Sequence, residues 1–289
     1  MTISTSTKMG YACFIGAPNA GKSTIFNKLL NQNLSGVTHK AHTTRDIING
    51  IITINKTQLV LIDTPGYLEE PRYKLEKLIS KKCIQAMKIT NFVCIVIDIA
   101  KKNCLENSLF YNIDSHLNKD TILLFNKIDL VHNKSMLLSL AKQAKDKGFN
   151  NIFMISGIHN KGTGDFLNYL LKNAPQGKWH YKESVFTNRS NKKIMEDITM
   201  EQLYKFLNKE LPYNLKVDTD RIVENTECTT VHQVITVTKN SQKKIILGCK
   251  GDNIKKIGVI SKKKIEMLLG KKVHLFLFIK IDKDCMGYI

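Results

Sequence analysis

The chain of 289 residues carries 44 Lys and Arg against 25 Asp and Glu, a formal charge of +19. That length accommodates two domains, each with its own core. The charge argues against an indifferent surface and for a polyanionic partner, nucleic acid or anionic lipid, although lysine is heavily used along the whole chain. Seven cysteines sit singly with no C-x-x-C pair, and eight histidines show no ligand spacing. Neither a zinc module nor a disulfide framework is expected, and most of the cysteines are expected to be small buried residues in a reducing compartment. The first ten residues are polar, so no secretory signal is read. Apolar runs such as residues 92–97, cut by Asp98, fall far short of a membrane span.

In chain order, the apolar run 11–15 reads as a buried strand. Gly16-Ala17-Pro18-Asn19-Ala20-Gly21-Lys22-Ser23 follows it, fitting G-x-x-x-x-G-K-[ST] in full, and a helical pattern covers 24–30. Strand, glycine loop and helix form the context a phosphate-binding loop requires. Glycine lets successive N–H groups face inward, and the helix N-terminus adds partial positive charge. Lys22 is expected to reach the β- and γ-phosphates, the Ser23 hydroxyl to bind Mg²⁺, and Thr24 to complete the loop's nucleotide contacts.

Residues 46–54 and 58–62 read as strands whose link, 55–57, is short enough only for an antiparallel hairpin. Asp63-Thr64-Pro65-Gly66 stands at the end of the second, where Asp63 can hold Mg²⁺ through water and the Gly66 N–H can contact the γ-phosphate. Asn126-Lys127-Ile128-Asp129 follows the strand-like 121–125. A carboxylate at Asp129 can accept the N1 and N2 protons of guanine, a pair that adenine lacks. Ser156-Gly157 follows 152–155 and offers a backbone N–H to guanine O6. Any one of these motifs could be a plain surface turn. Four in this order, each at a strand end, specify GTP.

Strands ending near Ile15, Ile62, Ile97, Phe125 and Ile155 alternate with helical patterns near 23–31, 73–87, 106–117, 134–147 and 165–171. Such alternation gives an α/β fold, a doubly wound and mostly parallel sheet with one antiparallel edge strand. Its ligand crevice lies at the strand C-terminal ends. The Pro and Gly of 174–177 mark a linker, so a first domain is expected over 1–175 and a second over 176–289.

In the second half, 192–207 has helix periodicity with Ile194, Ile198, Leu203 and Phe206 as candidate buried positions. Residues 215–223 and 230–238 read as strands, 252–269 as a helix and 273–281 as a last strand. Between them lies Gly248-Cys249-Lys250-Gly251. Lysines crowd the region at 243, 244, 250, 255, 256, 262, 263, 264, 271 and 272, against only Asp252 and Glu266 from 241 to 272. Taken alone, these are a solvated helix face beside a turn.

The phosphate loop, Lys40-Ala41-His42-Thr43-Thr44-Arg45, Asp63-Thr64-Pro65-Gly66 and Asn126-Lys127-Ile128-Asp129 together resemble the translation-factor-related GTPases, and Era-like GTPases among them. The α-β-β-α-α-β order around Gly-x-x-Gly resembles a KH domain of the bacterial topology, an α+β unit. The resemblance covers nearly the whole chain. It implies GTP hydrolysis with Mg²⁺ held by Ser23, Asp63 and Thr44, with Thr43 the alternative to Thr44. It also implies that Gly248, Cys249, Lys250 and Gly251, with Lys255 and Lys256, clamp the backbone of about four nucleotides. The partner implied is small-subunit ribosomal RNA and the small ribosomal subunit, in subunit maturation, by a cytoplasmic monomer. A rival reading places the basic surface on anionic lipid, peripheral on the inner membrane, in cell-cycle control. A non-enzymatic RNA-binding module with structural GTP is the third.

Some positions depart from the family pattern. Tyr67 stands where small signalling GTPases carry a water-orienting glutamine, so intrinsic turnover is expected to be slow. Asn19 then joins Lys22, Thr44 and Gly66 as a candidate catalytic residue, because an asparagine there in related GTPases helps hold K⁺ beside the phosphates. Its plainer reading is a residue that shapes the loop. Ser156-Gly157 replaces the usual Ser-Ala, and Asn160 stands where glycine is frequent. Residues 285–288 resemble the family's ending, which helps the RNA-binding domain sense the nucleotide.

Overall fold

The computed structural model describes residues 6–32, 34–36, 47–67, 74–101, 104–105, 120–131, 133–206 and 215–282. Thr43, Thr44 and the rest of their motif, the helix expected at 106–117 and the ending at 285–288 lie outside the described residues. The chain divides into two compact units. Described residues up to Ser35 and from Ile47 to Asn188 belong to the first, and those from Arg189 onward to the second.

The first unit runs β1 (Lys8–Ile15), α1 (Lys22–Leu30), β2 (Ile48–Ile54), β3 (Thr57–Asp63), α2 (Lys74–Ile89), β4 (Phe92–Asp98), β5 (Asp120–Asn126), α3 (Lys134–Asp146), β6 (Asn151–Ile155) and α4 (Thr163–Asn173). The sheet order is β2-β3-β1-β4-β5-β6. Neighbours are parallel except β2, which is antiparallel to β3 through the expected hairpin. Because helices cover both faces, central strands are apolar throughout rather than alternating, and every residue of β4 is buried. On one face Phe14 meets Phe26 of α1 and Phe166 of α4 edge to face, and Phe153 meets Phe166 likewise. On the other, Cys13, Ile15, Val93 and Ile95 pack with Ala86, Met87 and Ala144. Each fully buried side chain of this size contributes about 1.5–3 kcal/mol. These contacts hold the strand ends, and the loops leaving them, in fixed positions.

Residues 176–188 pack on this unit, and Phe186 and Thr187 among them lie along the β2 edge. The Ile51 N–H donates to Phe186 O, the Gly177 N–H to Thr7 O, and Thr187 Oγ1 to Asn49 O. Gln58, fully buried, accepts from the N–H groups of His180 and Tyr181 and donates to Tyr181 O. Its amide thereby satisfies backbone groups that would otherwise be buried unpaired.

The second unit runs α5 (Asn191–Phe206), β7 (Leu215–Glu224), β8 (Cys228–Val237), α6 (Asn240–Leu247), a 3-10 turn (Cys249–Gly251), α7 (Asp252–Leu269) and β9 (Lys272–Ile281). β8 lies between β7, antiparallel to it, and β9, parallel to it. Leu203, Leu215, Val217, Ile235, Val237, Ile246 and Ile257 form its core. Ile194, Ile198 and Leu203 are buried as expected, but Phe206 is 37% exposed. As the last residue of α5 it lies past the packed stretch, and Met195 and Tyr204 are buried in addition. Where β7 shifts register, the Glu196 carboxylate accepts from the Thr219 N–H, so that donor is paired although the ladder is interrupted.

Candidate nucleotide-binding and nucleic-acid sites

The phosphate loop connects β1 to α1 at the sheet's C-terminal edge. A Cβ at Gly16 would collide with the backbone oxygen of Val96, and one at Gly21, whose φ is 98°, with the Asn126 amide. Glycine is therefore required at both positions by close approach, not by flexibility alone. Asn19 is exposed with φ 64°, a left-handed geometry that asparagine tolerates. Pro18, Ala17 and Ala20 complete the curl, with the Ala20 N–H donating to Ala17 O.

Lys22 is buried, and its ammonium donates to Gly16 O and Ala17 O at 3.0 and 2.9 Å. Burial pulls its pKa down to about 8, against the opposing attraction of Asp63. The Ser23 hydroxyl donates to Asp63 Oδ2 at 2.6 Å. Asp63 is fully buried. Burial pushes its pKa up, while hydrogen bonds from Ser23 and Ser35 and the charge of Lys22 oppose the rise. Its other oxygen, Oδ1, accepts no hydrogen bond from the described residues. A buried, unpartnered carboxylate oxygen beside a serine hydroxyl fits a hard cation that takes few protein ligands and keeps its waters, as Mg²⁺ does. Ser23 and Asp63 could hold it.

The rest of the Asp63-Thr64-Pro65-Gly66 turn is fixed from below. Thr64 Oγ1 donates to Phe14 O at 2.7 Å, and the Tyr67 N–H donates to Gly16 O, joining the turn to the phosphate loop. Gly66 is buried here. The Tyr67 ring packs against the apolar core.

At the base end, Asn126 donates to Ala20 O at 2.8 Å and accepts from the Gly157 N–H at 3.1 Å. One buried amide thus ties the phosphate loop, β5 and the loop after β6 together. Lys127, at φ 67°, is ion-paired with Asp98 at 2.6 Å. Asp129 is exposed, and its Oδ1 accepts from the buried Ser156 hydroxyl, which fixes the carboxylate's direction. The Gly157 N–H is engaged by Asn126. Asn160 adopts φ 55° and accepts from Thr163 Oγ1, so it fills the left-handed position where glycine is frequent. Thr24 lies next to Gly157 across this junction.

Sequence reasoning missed two residues of this site. Ser35 is buried and donates to Asp63 Oδ2, and Asn27 is buried and holds the backbone at 34–35. The available signal was spacing: Asn27 is four residues after Ser23, hence on the same face of α1, in an otherwise apolar stretch.

In the second unit, Gly248 (φ 73°), Lys250 (φ 50°) and Gly251 (φ 84°) turn the chain sharply between α6 and α7. Asn253 donates to Ile245 O and braces the turn. Cys249 and Lys250 at its tip are exposed, as are Lys255 and Lys256 on the first turns of α7. The lysine cluster is less uniform than the sequence implied. Lys262, Lys264 and Lys271 are paired with Glu266, Glu201 and Glu224. Glu201 and Glu224 are distant in sequence from the lysines that they neutralise.

A mostly parallel sheet with a phosphate loop, a buried magnesium-type carboxylate and a guanine-type base loop, followed by a Gly-x-x-Gly α+β unit, defines a guanine-nucleotide P-loop protein with a KH unit. Residues 11–127 match the family model described as "50S ribosome-binding GTPase", and residues 202–285 match that of the KH domain. The chain is 38% identical over 286 residues to the GTPase Era of Brucella suis biovar 1 (strain 1330), covering 98% of this chain and 91% of that relative. It is 37% identical to the GTPase Era of Ehrlichia ruminantium (strain Welgevonden), covering 97% of each. Among solved structures, a crystal structure of Era in complex with MgGDPNP and nucleotides 1506–1542 of 16S ribosomal RNA superposes with a TM-score of 0.88 at 27% identity, covering 98% of this chain and 96% of that one. A crystal structure of Aquifex aeolicus Era bound to GDP·AlF4⁻ gives the same TM-score, covering 96% and 95%. The chain belongs to the Era family of GTPases.

Burial of Lys22 gives a proton signature. Its pKa of about 8 in the free protein must rise once anionic phosphates replace the loop carbonyls as partners. Binding then takes up a proton above pH 8, and nucleotide affinity, full below pH 8, falls as pH rises through 8. Calorimetric titration of GDP at pH 8.5 in buffers of different ionisation enthalpy is expected to report uptake of ~0.7 proton per nucleotide. A buffer-independent enthalpy would contradict the assignment.

Proposed function

We propose that this GTPase couples Mg²⁺-dependent hydrolysis of GTP in its first unit to binding of small-subunit ribosomal RNA through its KH unit, in maturation of the small ribosomal subunit. The observation that carries the nucleotide half is the meeting of buried Lys22, Ser23 and Asp63 at one loop, with an acceptor oxygen left over. Such preorganised groups act most strongly where water is excluded. Lys22 would exchange its bonds to Gly16 O and Ala17 O for β- and γ-phosphate oxygens. Ser23, Asp63 and Thr44 would hold Mg²⁺, which supplies charge neutralisation between those phosphates. Gly66 would offer its N–H to the γ-phosphate. Asp129, steered by Ser156, would read guanine N1 and N2, and the Gly157 N–H would reach O6 by exchanging its bond to Asn126.

Tyr67 has no side-chain amide to replace a water-orienting glutamine, its ring packs on the apolar core, and its N–H is already committed to Gly16 O. We therefore assign the missing positive charge to K⁺ held with help from Asn19, at the exposed tip of the phosphate loop. RNA-stimulated turnover is expected to be faster in K⁺ than in Na⁺ at equal ionic strength, and Asn19→Ala to remove the difference. Equal rates in both salts would end that assignment.

For the RNA half, support comes from the exposed tip at Cys249 and Lys250, the exposed Lys255 and Lys256, and likeness over 98% of the chain to an Era bound to 16S ribosomal RNA. The "50S" description attaches to a match that ends at Lys127, before the KH unit begins. Gly248 and Gly251 would let a sugar–phosphate chain approach closely. The protein is read as a cytoplasmic monomer. No helix among the described residues is long and apolar enough to cross a membrane. The domains are proposed at 1–175 and 176–289, the second including a linker whose residues up to Asn188 cluster with the first compact unit.

Replacing Cys249 and Lys250 with two aspartates puts negative charge where phosphates belong and keeps both glycines. Affinity for single-stranded RNA from the 3′ end of the small-subunit ribosomal RNA should fall at least tenfold, with a shallower salt dependence because fewer counterions are released. GTP binding and basal hydrolysis should stay near parental values. Unchanged RNA binding would make the loop a plain turn, and preferential binding of the parent to anionic vesicles over RNA would favour the membrane reading.

A further inference from the structure

Ser35 lies outside every motif named above, yet it is only 3% exposed and its hydroxyl donates to Asp63 Oδ2 at 2.7 Å. Ser23 donates to the same oxygen at 2.6 Å. Two hydroxyls therefore commit one oxygen of the carboxylate, and the other, Oδ1, stays buried without a hydrogen-bond partner among the described residues. A carboxylate that is satisfied on one side only costs desolvation energy unless a cation or its water completes it.

The placement of Ser35 is built, not incidental. Asn27 accepts from the N–H groups of Leu34 and Ser35, both at 3.0 Å, and its Nδ2 donates to Ser35 O at 2.7 Å. Asn27 is itself buried on α1, one helical turn beyond Ser23. All three bonds of this clip use backbone groups of residues 34 and 35. Any small residue at position 35 could form them, so the clip does not explain the hydroxyl.

We propose that Ser35 is a positioning residue for magnesium, whose hydroxyl orients Asp63 so that Oδ1 is presented to the cation. The proposal rests on the reading of Ser23 and Asp63 as the Mg²⁺ site. A hydrogen bond to a charged group is strong enough to matter here.

The test is the release of fluorescently labelled GDP from the full-length protein, titrated with Mg²⁺, together with GDP affinity in excess EDTA. In the parent, Mg²⁺ should slow release. In Ser35→Ala, the Mg²⁺ concentration that gives half of this effect should rise about tenfold, or about 1.4 kcal/mol. GDP affinity in EDTA should stay within about twofold, because the phosphate loop is untouched. Ser35→Thr, which keeps the hydroxyl, should return close to the parental midpoint. An unchanged midpoint in Ser35→Ala would overturn the proposal, and so would equal weakening of GDP binding with and without Mg²⁺, which marks a packing role. A Ser35→Thr variant that behaves like Ser35→Ala would overturn it too. If release from the parent ignored Mg²⁺ altogether, the magnesium reading itself would fail.

Discussion

Asp63 is an ionisable group with no exposure to water, placed at the end of the strand that pairs with both β1 and β2. Burying a carboxylate is costly unless its charge is met. The hydroxyls of Ser23 and Ser35 and the charge of Lys22 meet part of it. The phosphate loop, the end of β3 and the segment after α1 are held together by this one requirement. The unfilled oxygen then makes the assembled site favourable for a divalent cation. The Asn126 amide performs the parallel task at the base end, joining the phosphate loop to the loop that follows β6. Phosphate and base recognition are therefore parts of one hydrogen-bonded junction above the sheet.

The two units meet the entropy of ordering in different ways. The first surrounds a sheet of buried central strands with helices, so side-chain packing sets the strand ends. The second is a three-stranded sheet whose polar interior includes Glu196, Thr199, Thr219 and Gln233. Hydrogen bonds there are satisfied pairwise at a register shift, and such networks favour one strand alignment over its neighbours.

Much of this was legible in the sequence where local chemistry carries the signal. The glycine loop, the hairpin between β2 and β3, the strand-end motifs and the Gly-x-x-Gly turn all depend on residues adjacent in the chain. Ser35 was not legible, because a serine in a polar stretch has no distinguishing neighbour and its hydroxyl meets Asp63, 28 residues away. Gln58 was likewise hidden: a polar residue at the start of a strand gives no hint that it binds the backbone of residues 180 and 181. Lysine pairing with Glu201 and Glu224 joins distant elements, so a count of charges along 241–272 overstated the free positive surface. Phe206 followed the helix period but not the end of the packed region.

The central claim is that nucleotide bound at the Lys22–Ser23–Asp63 junction governs RNA binding at the Gly248–Gly251 turn. It is tested most directly by the affinity of the intact protein for RNA from the 3′ end of the small-subunit ribosomal RNA. Fluorescence anisotropy with Mg²⁺ and a non-hydrolysable GTP analogue would be compared with the same measurement with GDP. The account predicts binding at least tenfold tighter with the GTP analogue, with the difference abolished in Asp63→Asn. Equal affinity in the two nucleotide states would contradict it.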